Sequence, residues 1–346
     1  MKVLAKENIS VVTAPLINVI RNAFPKRCVK VRHQRMKRAI VSTVAGDGTS
    51  GFLDGPAAVS KFKSPLDLAV LPDGTIYVAD AFNSSIRMIK NDIVATFAGN
   101  GYANIKNGNG SNARFKIPSR LTLDDAGNLY ILDAADPHIR KITASADVSI
   151  YAGSNCFGFK DGEASVAQFG QSFGIVRDLQ GNIYVADSQN DCIRKISFHG
   201  EVTTITGGRV KQFQFVTGIA INKQGDLFVS DVYRIKKITP DGIVSTFAGS
   251  YQNGYTDARG RAAKFSQIED LIMDQQENIY VTDENRIRKI TPQGIVTTIA
   301  GSVAGYKDGD GSTAEFDGPQ GLGIDGYGNI YVADFNNKRI RKISFE

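Results

Sequence analysis

With 346 residues, of which 42% are hydrophobic, the chain is long enough for one large domain or two ordinary ones and too apolar for a disordered protein. No run of 18 apolar residues occurs, so we predict that no helix spans a membrane. The net charge of +6 would by itself suggest a nucleic-acid partner, but the charge is unevenly distributed along the chain.

The first 38 residues hold ten of the 41 basic residues and one of the 35 acidic ones, Glu7. The rest of the chain therefore has 31 basic and 34 acidic residues, a balance of −3 that argues against a nucleic-acid partner. We predict a basic extension over residues 1–39, either a targeting segment or a disordered tail. A cleaved segment would send the protein out of the cell or to an organelle, and the sequence leaves the compartment open.

One short strand occurs six times, always ending in Asp. It reads TIYVAD (75–80), NLYILD (128–133), NIYVAD (182–187), DLFVSD (226–231), NIYVTD (278–283) and NIYVAD (329–334). Turn residues precede most copies, and another apolar strand lies ahead of each turn, beginning at residues 66, 120, 174, 218, 270 and 321. This alternation, rich in Val, Ile, Tyr and Thr, is typical of a sheet packed on both faces.

A third strand of the type IRKI follows each Asp, and a fourth of the type VxTxAG ends five of the copies. The sixth copy stops after its third strand, but the missing strand, IVSTVAG, is present at residues 40–46. We therefore predict an all-β protein over residues 40–346. It should be a six-bladed β-propeller of four-stranded antiparallel blades, with the last blade closed by the N-terminal strand 40–46.

The motif G-x-[IL]-Y-V-x-D, followed by I-R-K-I and V-x-T-x-A-G, recurs in phase and resembles the NHL-repeat family over residues 40–346. The D-G-x4-A-x-F loops resemble bacterial-type NHL repeats. This resemblance implies a propeller used mostly as a binding platform. A minority of related six-bladed propellers, of the SMP-30/gluconolactonase kind, are metal-dependent lactonases or lyases, and fold analogy does not choose between the two.

The repeated acidic and basic side chains of the second and third strands could suggest catalysis. Because they occur in every copy, we interpret them instead as residues that the repeat needs to fold. They are Asp80, Asp133, Asp187, Asp231, Asp283 and Asp334, followed by Arg87, Arg140, Arg194, Lys236, Arg288 and Arg341. We identify no catalytic residue, since the three His residues do not share channel-facing positions and no nucleophile motif occurs.

Positions where one blade differs from the others are more informative. Three first strands begin with Gly (Gly174, Gly218 and Gly321). The others have Asp67, Arg120 and Asp270, which should meet near one mouth of the central channel, with Glu269 and Asp325 nearby. Such a group could hold a cation, a sugar or a charged peptide end, and Asp67 and Asp270 are candidate ligands for Ca²⁺ in the channel. The alternative is a solvent-exposed ion pair between Asp67 and Arg120.

The long loop that precedes most first strands repeats an aromatic residue, a [DN]-[GA] pair and a closing Phe. We call the side of the propeller that carries these loops the loop-bearing face. The aromatics Phe52, Phe159, Tyr255 and Tyr306 are predicted to project there as stacking surfaces for sugar rings or partner side chains. The closing Phe is predicted to fill the space between blades.

Two functions follow from these features. The primary hypothesis is a non-catalytic propeller that recognises a protein, peptide or glycan on the loop-bearing face. The alternative is a metal-dependent lactonase- or lyase-like enzyme with a cation in the central channel.

Overall fold

The structure, a computed structural model, describes residues 38–208 and 212–346. The predicted basic extension over residues 1–39 lies almost entirely outside these ranges. Within them, six antiparallel sheets form, and the inner strand of each sheet contacts the inner strands of both neighbours, so that the ring is closed. The predicted six-bladed propeller is confirmed. No helix in the described ranges is long and apolar enough to cross a membrane.

Each blade runs from an inner strand at the axis to an outer strand. Blade 1 comprises Pro65–Val70, Ile76–Asp80, Ser85–Lys90 and Ile93–Gly99. Blade 2 comprises Pro118–Leu123, Leu129–Asp133, Ile139–Ile142 and Asp147–Ala152. Blade 3 comprises Gly174–Arg177, Ile183–Asp187, Cys192–Ile196 and Glu201–Gly207. Blade 4 comprises Val216–Ile221, Leu227–Asp231, Arg234–Ile238 and Val244–Gly249. Blade 5 comprises Ile268–Met273, Ile279–Asp283, Arg286–Ile290 and Val296–Ala300. Blade 6 comprises Pro319–Ile324, Ile330–Asp334, Arg339–Phe345 and Ala39–Ala45.

Blade 6 joins the two ends of the propeller. Its outer strand, Ala39–Ala45, pairs antiparallel with Arg339–Phe345, with Val41 opposite Ile343. Val41 is 1% exposed and packs in the core between blades 5 and 6. The predicted closing strand is therefore confirmed, beginning one residue earlier than expected.

Four blades carry one strand more than the sequence predicted. The extra two-residue strands pair with the outer strands of blades 1, 2, 3 and 6, and are Gly55–Pro56, Gly108–Asn109, Gly162–Glu163 and Gly309–Asp310. They lie where the [DN]-G pair of each loop passes along the blade edge. The extra strand covers edge N–H and C=O groups that would otherwise be open to another chain. Short 3₁₀ turns occupy Ala57–Val59, Ala81–Asn83, Gly110–Asn112, Ser188–Asn190 and Gly260–Ala262.

The core is divided into six apolar clusters in the described ranges, each built from two neighbouring blades. Every cluster contains one Phe that is 2% exposed or less, as predicted for the closing Phe of the loops. These residues are Phe62, Phe115, Phe169, Phe213, Phe265 and Phe316. Phe213 lies before blade 4, where the long loop is missing, and sequence analysis did not identify it. Burying each ring contributes roughly 2–3 kcal/mol.

The repeated Arg of the third strand is a buried clamp between the blade and its loop. In blade 3, Arg194 donates to Asp187 at 3.0 Å and to the loop residue Asp161 at 2.7 Å. Its guanidinium lies between the rings of Phe159 and Phe169, 5.1 and 5.0 Å from their centroids. Arg87, Arg288 and Arg341 repeat this arrangement. These contacts support the interpretation of the repeated Asp and Arg residues as structural.

Candidate functional site

The three charged residues, each the third residue of an inner strand in the structure, do come together. Asp67, Arg120 and Asp270 all line one cavity on the propeller axis, and their exposed fractions are only 4, 5 and 7%. The Gly residues at equivalent positions leave room for them and for neighbouring backbone. A Cβ atom on Gly321 would lie 2.1 Å from Oδ1 of Asp67, and one on Gly218 would lie 2.7 Å from the Leu271 nitrogen.

Arg120 crosses the axis and links four blades. Its Nε donates to the carbonyl of Phe173 at 3.0 Å, and its two Nη atoms donate to the carbonyls of Leu66 and Glu269 at 3.4 and 3.3 Å. The three acceptor residues come one position before Asp67, Gly174 and Asp270 in the sequence, on the side of the long loops. None of the three lines the cavity. Arg120 therefore closes the channel toward the loop-bearing face.

Asp67 and Asp270 tie inner strands to neighbouring blades. Asp67 accepts hydrogen bonds from the backbone N–H groups of Leu68 and Leu121 at 2.8 and 2.9 Å, and Asp270 accepts from Leu322 at 3.0 Å. Burial raises the pKa of both carboxyl groups, and repulsion from Asp270 raises the pKa of Asp67 further, whereas Arg120 lowers both. Neither forms an ion pair with Arg120 within 4.0 Å, so the alternative of an exposed Asp67–Arg120 pair is wrong.

The two other acids expected nearby lie elsewhere. Glu269 reaches Arg120 only through its backbone carbonyl, and its carboxylate accepts a hydrogen bond from Gln267. Asp325 lies beyond the opposite end of the inner strand, in the turn after Ile324. There it accepts from the N–H and side chain of Asn329, at 2.9 and 2.7 Å, and holds that turn together.

The central cavity has a volume of about 330 Å³ and extends away from Arg120 along the inner strands. We call the opposite side of the propeller the hairpin face, because it carries the turns between inner and second strands. Two depressions on that face, of about 340 and 300 Å³, share Met273 with the cavity, and the larger also shares Arg177. The cavity therefore opens toward the hairpin face, which sequence analysis did not identify as a site.

The donor set in the cavity does not fit the Ca²⁺ site that the sequence suggested. Calcium takes six to eight oxygen ligands, whereas the cavity offers two carboxylates that already accept backbone N–H groups beside a guanidinium. Among residues 38–208 and 212–346, no three His, Cys, Asp or Glu side chains are grouped to hold a metal ion. Asp67 and Asp270 therefore do not supply the ligand set of a Ca²⁺ site.

The four predicted loop aromatics are all half exposed. The exposed fractions of Phe52, Phe159, Tyr255 and Tyr306 are 43, 45, 46 and 44%. Each ring rests on the buried Arg of its blade, with the guanidinium carbon 4.7–5.1 Å from the ring centroid. Cation–π contacts thus fix the rings, and Tyr255 and Tyr306 each contact a second guanidinium, of Arg286 and Arg339, at 4.1 and 3.8 Å. The remaining surface of each ring is open to solvent. Whether they bind a ligand stays a prediction.

Comparison with known proteins identifies one repeat family and several similar proteins. The family model of the NHL repeat matches residues 316–343, which contain the inner and second strands of blade 6 and most of its third strand. The chain is a propeller that contains an NHL repeat. The NHL propeller is 24% identical over 368 residues to Teneurin-3 of Mus musculus, in an alignment covering 88% of this chain and 13% of teneurin-3.

Two further proteins are similar in sequence or in fold. The NHL propeller is 26% identical over 315 residues to the chloroplastic protein Suppressor of quenching 1 of Arabidopsis thaliana, covering 87% of this chain and 27% of that protein. It also superposes on an auxiliary nutrient binding protein of Bacteroides thetaiotaomicron with a TM-score of 0.69 and 19% identity, covering 90% of this chain and 77% of that one. The chain thus spans only a small part of the two sequence relatives.

The buried carboxyl pair predicts a pH-dependent difference in stability. Because the folded pKa values of Asp67 and Asp270 are raised, the folded wild type binds protons that the unfolded chain releases above about pH 4. Stability therefore falls as pH rises from there through the raised values. The double variant Asp67→Asn/Asp270→Asn lacks this titration. Its melting temperature relative to wild type should rise between pH 4 and pH 8. A constant difference across this range would contradict the assigned direction.

Proposed function

We propose that the NHL propeller is a non-catalytic binding module that recognises a protein, peptide or glycan on its loop-bearing face. The observation that carries this proposal is the set of four half-exposed aromatics, each fixed on a buried Arg. An aromatic ring that is already held in place loses little conformational entropy on binding, so its contact area contributes fully to affinity.

Other exposed aromatic side chains extend the same face. They are Phe82, Tyr102, Phe215 and Tyr251, with exposed fractions of 55, 72, 44 and 73%. Together with the four loop aromatics they are spread over several blades, instead of being gathered in one narrow groove. This distribution favours a broad partner surface, and a folded protein or an extended peptide offers more of it than a short glycan.

The comparisons agree with binding without identifying the ligand. Binding is the role that the name of the Bacteroides thetaiotaomicron protein states for that protein. The lactonase- or lyase-like alternative has less support, because the central residues present two engaged carboxylates and no third acidic or imidazole ligand in the described ranges.

The proposal is tested with a phage-displayed peptide library and a glycan array, both probed with the full-length chain. Phe159→Ser should weaken the selected interactions at least tenfold, because Phe159 is a fixed, half-exposed ring on the loop-bearing face. The matched control is Phe198→Ser on the hairpin face, where Phe198 is 71% exposed. It should change affinity less than twofold. Ligands weakened by Phe198→Ser and not by Phe159→Ser would place binding on the wrong face and overturn the proposal.

A further inference from the structure

We propose that the central cavity is a second binding site, entered from the hairpin face, and that it takes a small aliphatic ammonium ion such as an alkyl diamine. This site is independent of the proposed function, which uses the opposite face. The cavity volume of about 330 Å³ is within the range of small-molecule sites. Four features of the cavity lead to this ligand class: its shape, the charge at its closed end, the charge at its rim and its walls.

The cavity has one closed and one open end. Arg120 closes it toward the loop-bearing face by donating to carbonyls of blades 1, 3 and 5. At the other end the cavity continues into the depressions that contain Met273 and Arg177. A ligand must therefore enter from the hairpin face, with one end against Asp67 and Asp270 and the other at the rim.

The closed end favours positive charge. Asp67 and Asp270 are more than nine-tenths buried, and within the described ranges no Lys, Arg or His nitrogen lies within 4.0 Å of either carboxylate. The N–H groups of Arg120 point at backbone carbonyls, so its guanidinium neutralises their partial charges instead of pairing with the carboxylates. An entering ammonium would form the direct ion pair that these two groups do not make with Arg120.

The rim adds to this attraction. The six hairpins of the hairpin face hold one basic residue, Lys223, and eight acidic ones, a net charge of −7. The acidic residues are Asp73, Asp124, Asp125, Asp178, Asp226, Asp274, Glu277 and Asp325. Three of them are paired with a cation, through Lys90, Arg177 and Lys237. Since residues 39–346 as a whole balance at −3, negative charge is concentrated here. An acidic cleft with low-dielectric walls raises the local concentration of cations.

The walls decide between an organic ammonium and a bare cation. Between the two charged ends the cavity is lined by aliphatic side chains, among them Val70, Leu123, Ile221, Met273 and Ile324. A metal ion would gain nothing from such a wall and would lack its oxygen ligands. An alkyl chain buries apolar area against it, about 0.8 kcal/mol for each CH₂ group removed from water.

The test is calorimetric titration of the full-length chain with 1,5-diaminopentane at low ionic strength. Saturable binding of one diamine per chain is expected. Pentan-1-ol and glutarate, which match its length without the ammonium groups, should bind at least tenfold more weakly. Equal binding of pentan-1-ol would mean that the cavity selects only for apolar character, and no diamine binding would mean that there is no site. Either result overturns the proposal.

Three variants locate the binding. Asp67→Asn/Asp270→Asn should weaken diamine binding at least tenfold. Asp92→Asn removes one charge from an exposed outer turn of the same face and should leave affinity within twofold. Because the double variant removes buried contacts, Met273→Lys provides a second test at the half-buried entrance. Its own ammonium should occupy the cavity and abolish diamine binding. Unchanged affinity in both cavity variants would place the ligand elsewhere and overturn the proposal.

Discussion

Replacing Arg194 by Ala should lower the free energy of unfolding by about 3–5 kcal/mol, because removing one partner of a buried ion pair leaves the other charge uncompensated. The guanidinium of Arg194 is fully buried and donates to Asp187, to Asp161 and to the carbonyls of Lys160 and Gln168. In a domain of this size the loss corresponds to a fall in melting temperature of about 5–8 °C. Thermal and urea denaturation followed by circular dichroism would measure it.

The matched control is the next residue of the same strand. Lys195 is half-buried and lies 5.7 Å from the ring centroid of Tyr184, a contact expected to contribute less than about 1 kcal/mol. Lys195→Ala should therefore shift the melting temperature by only a few degrees. If both variants lost equal stability, the clamp would not be the interaction that holds the loop to the blade.

Removing the closing strand should have the largest effect of all. A chain that begins at Asp47 lacks the strand Ala39–Ala45. Arg339–Phe345 then becomes an open edge, and the core between blades 5 and 6 loses Val41. We expect no cooperative thermal transition and association of the exposed edges, since the loss is comparable with the whole stability of a typical domain, about 5–15 kcal/mol. Circular dichroism and size-exclusion chromatography would measure both changes.

Two comparisons separate strand loss from other effects of truncation. A chain beginning at Arg38 keeps the strand and should melt within about 2 °C of the full-length chain. A permuted chain that carries the IVSTVAG segment after Glu346, joined by a short turn that allows antiparallel pairing, should recover a cooperative transition. A cooperative, monomeric chain without the segment would contradict the closing role of the strand.

The repeat made most of the fold predictable. Alternating apolar residues and hairpin turns, six times in phase, located every blade, and the absent fourth strand of the last copy indicated where the ring closes. The short strand Gly55–Pro56 and its equivalents were missed because two residues carry no periodicity. Phe213 was missed for a related reason: without the long loop, no spacing motif marked it as the residue that fills the core.

The candidate site was less predictable because its chemistry depends on where side chains point. Sequence placed Asp67, Arg120 and Asp270 together, since departures from a repeat stand out. The sequence did not indicate that Arg120 donates to backbone carbonyls instead of pairing with a carboxylate. These backbone contacts place Arg120 across one mouth of the channel. Asp325 was expected beside them, although it follows the inner strand that has Gly321 near its start. The length of that strand, Pro319–Ile324, separates the two positions.

The pairing between the first and last described residues determines how this domain can be joined to other polypeptide segments. The N–H of Arg38 donates to the carbonyl of Glu346 at 2.8 Å, and the N–H of Glu346 donates back at 2.9 Å. A polypeptide therefore enters and leaves the ring at neighbouring points on one edge. Such a domain can be inserted into a surface loop of a host protein without separating the host segments on either side.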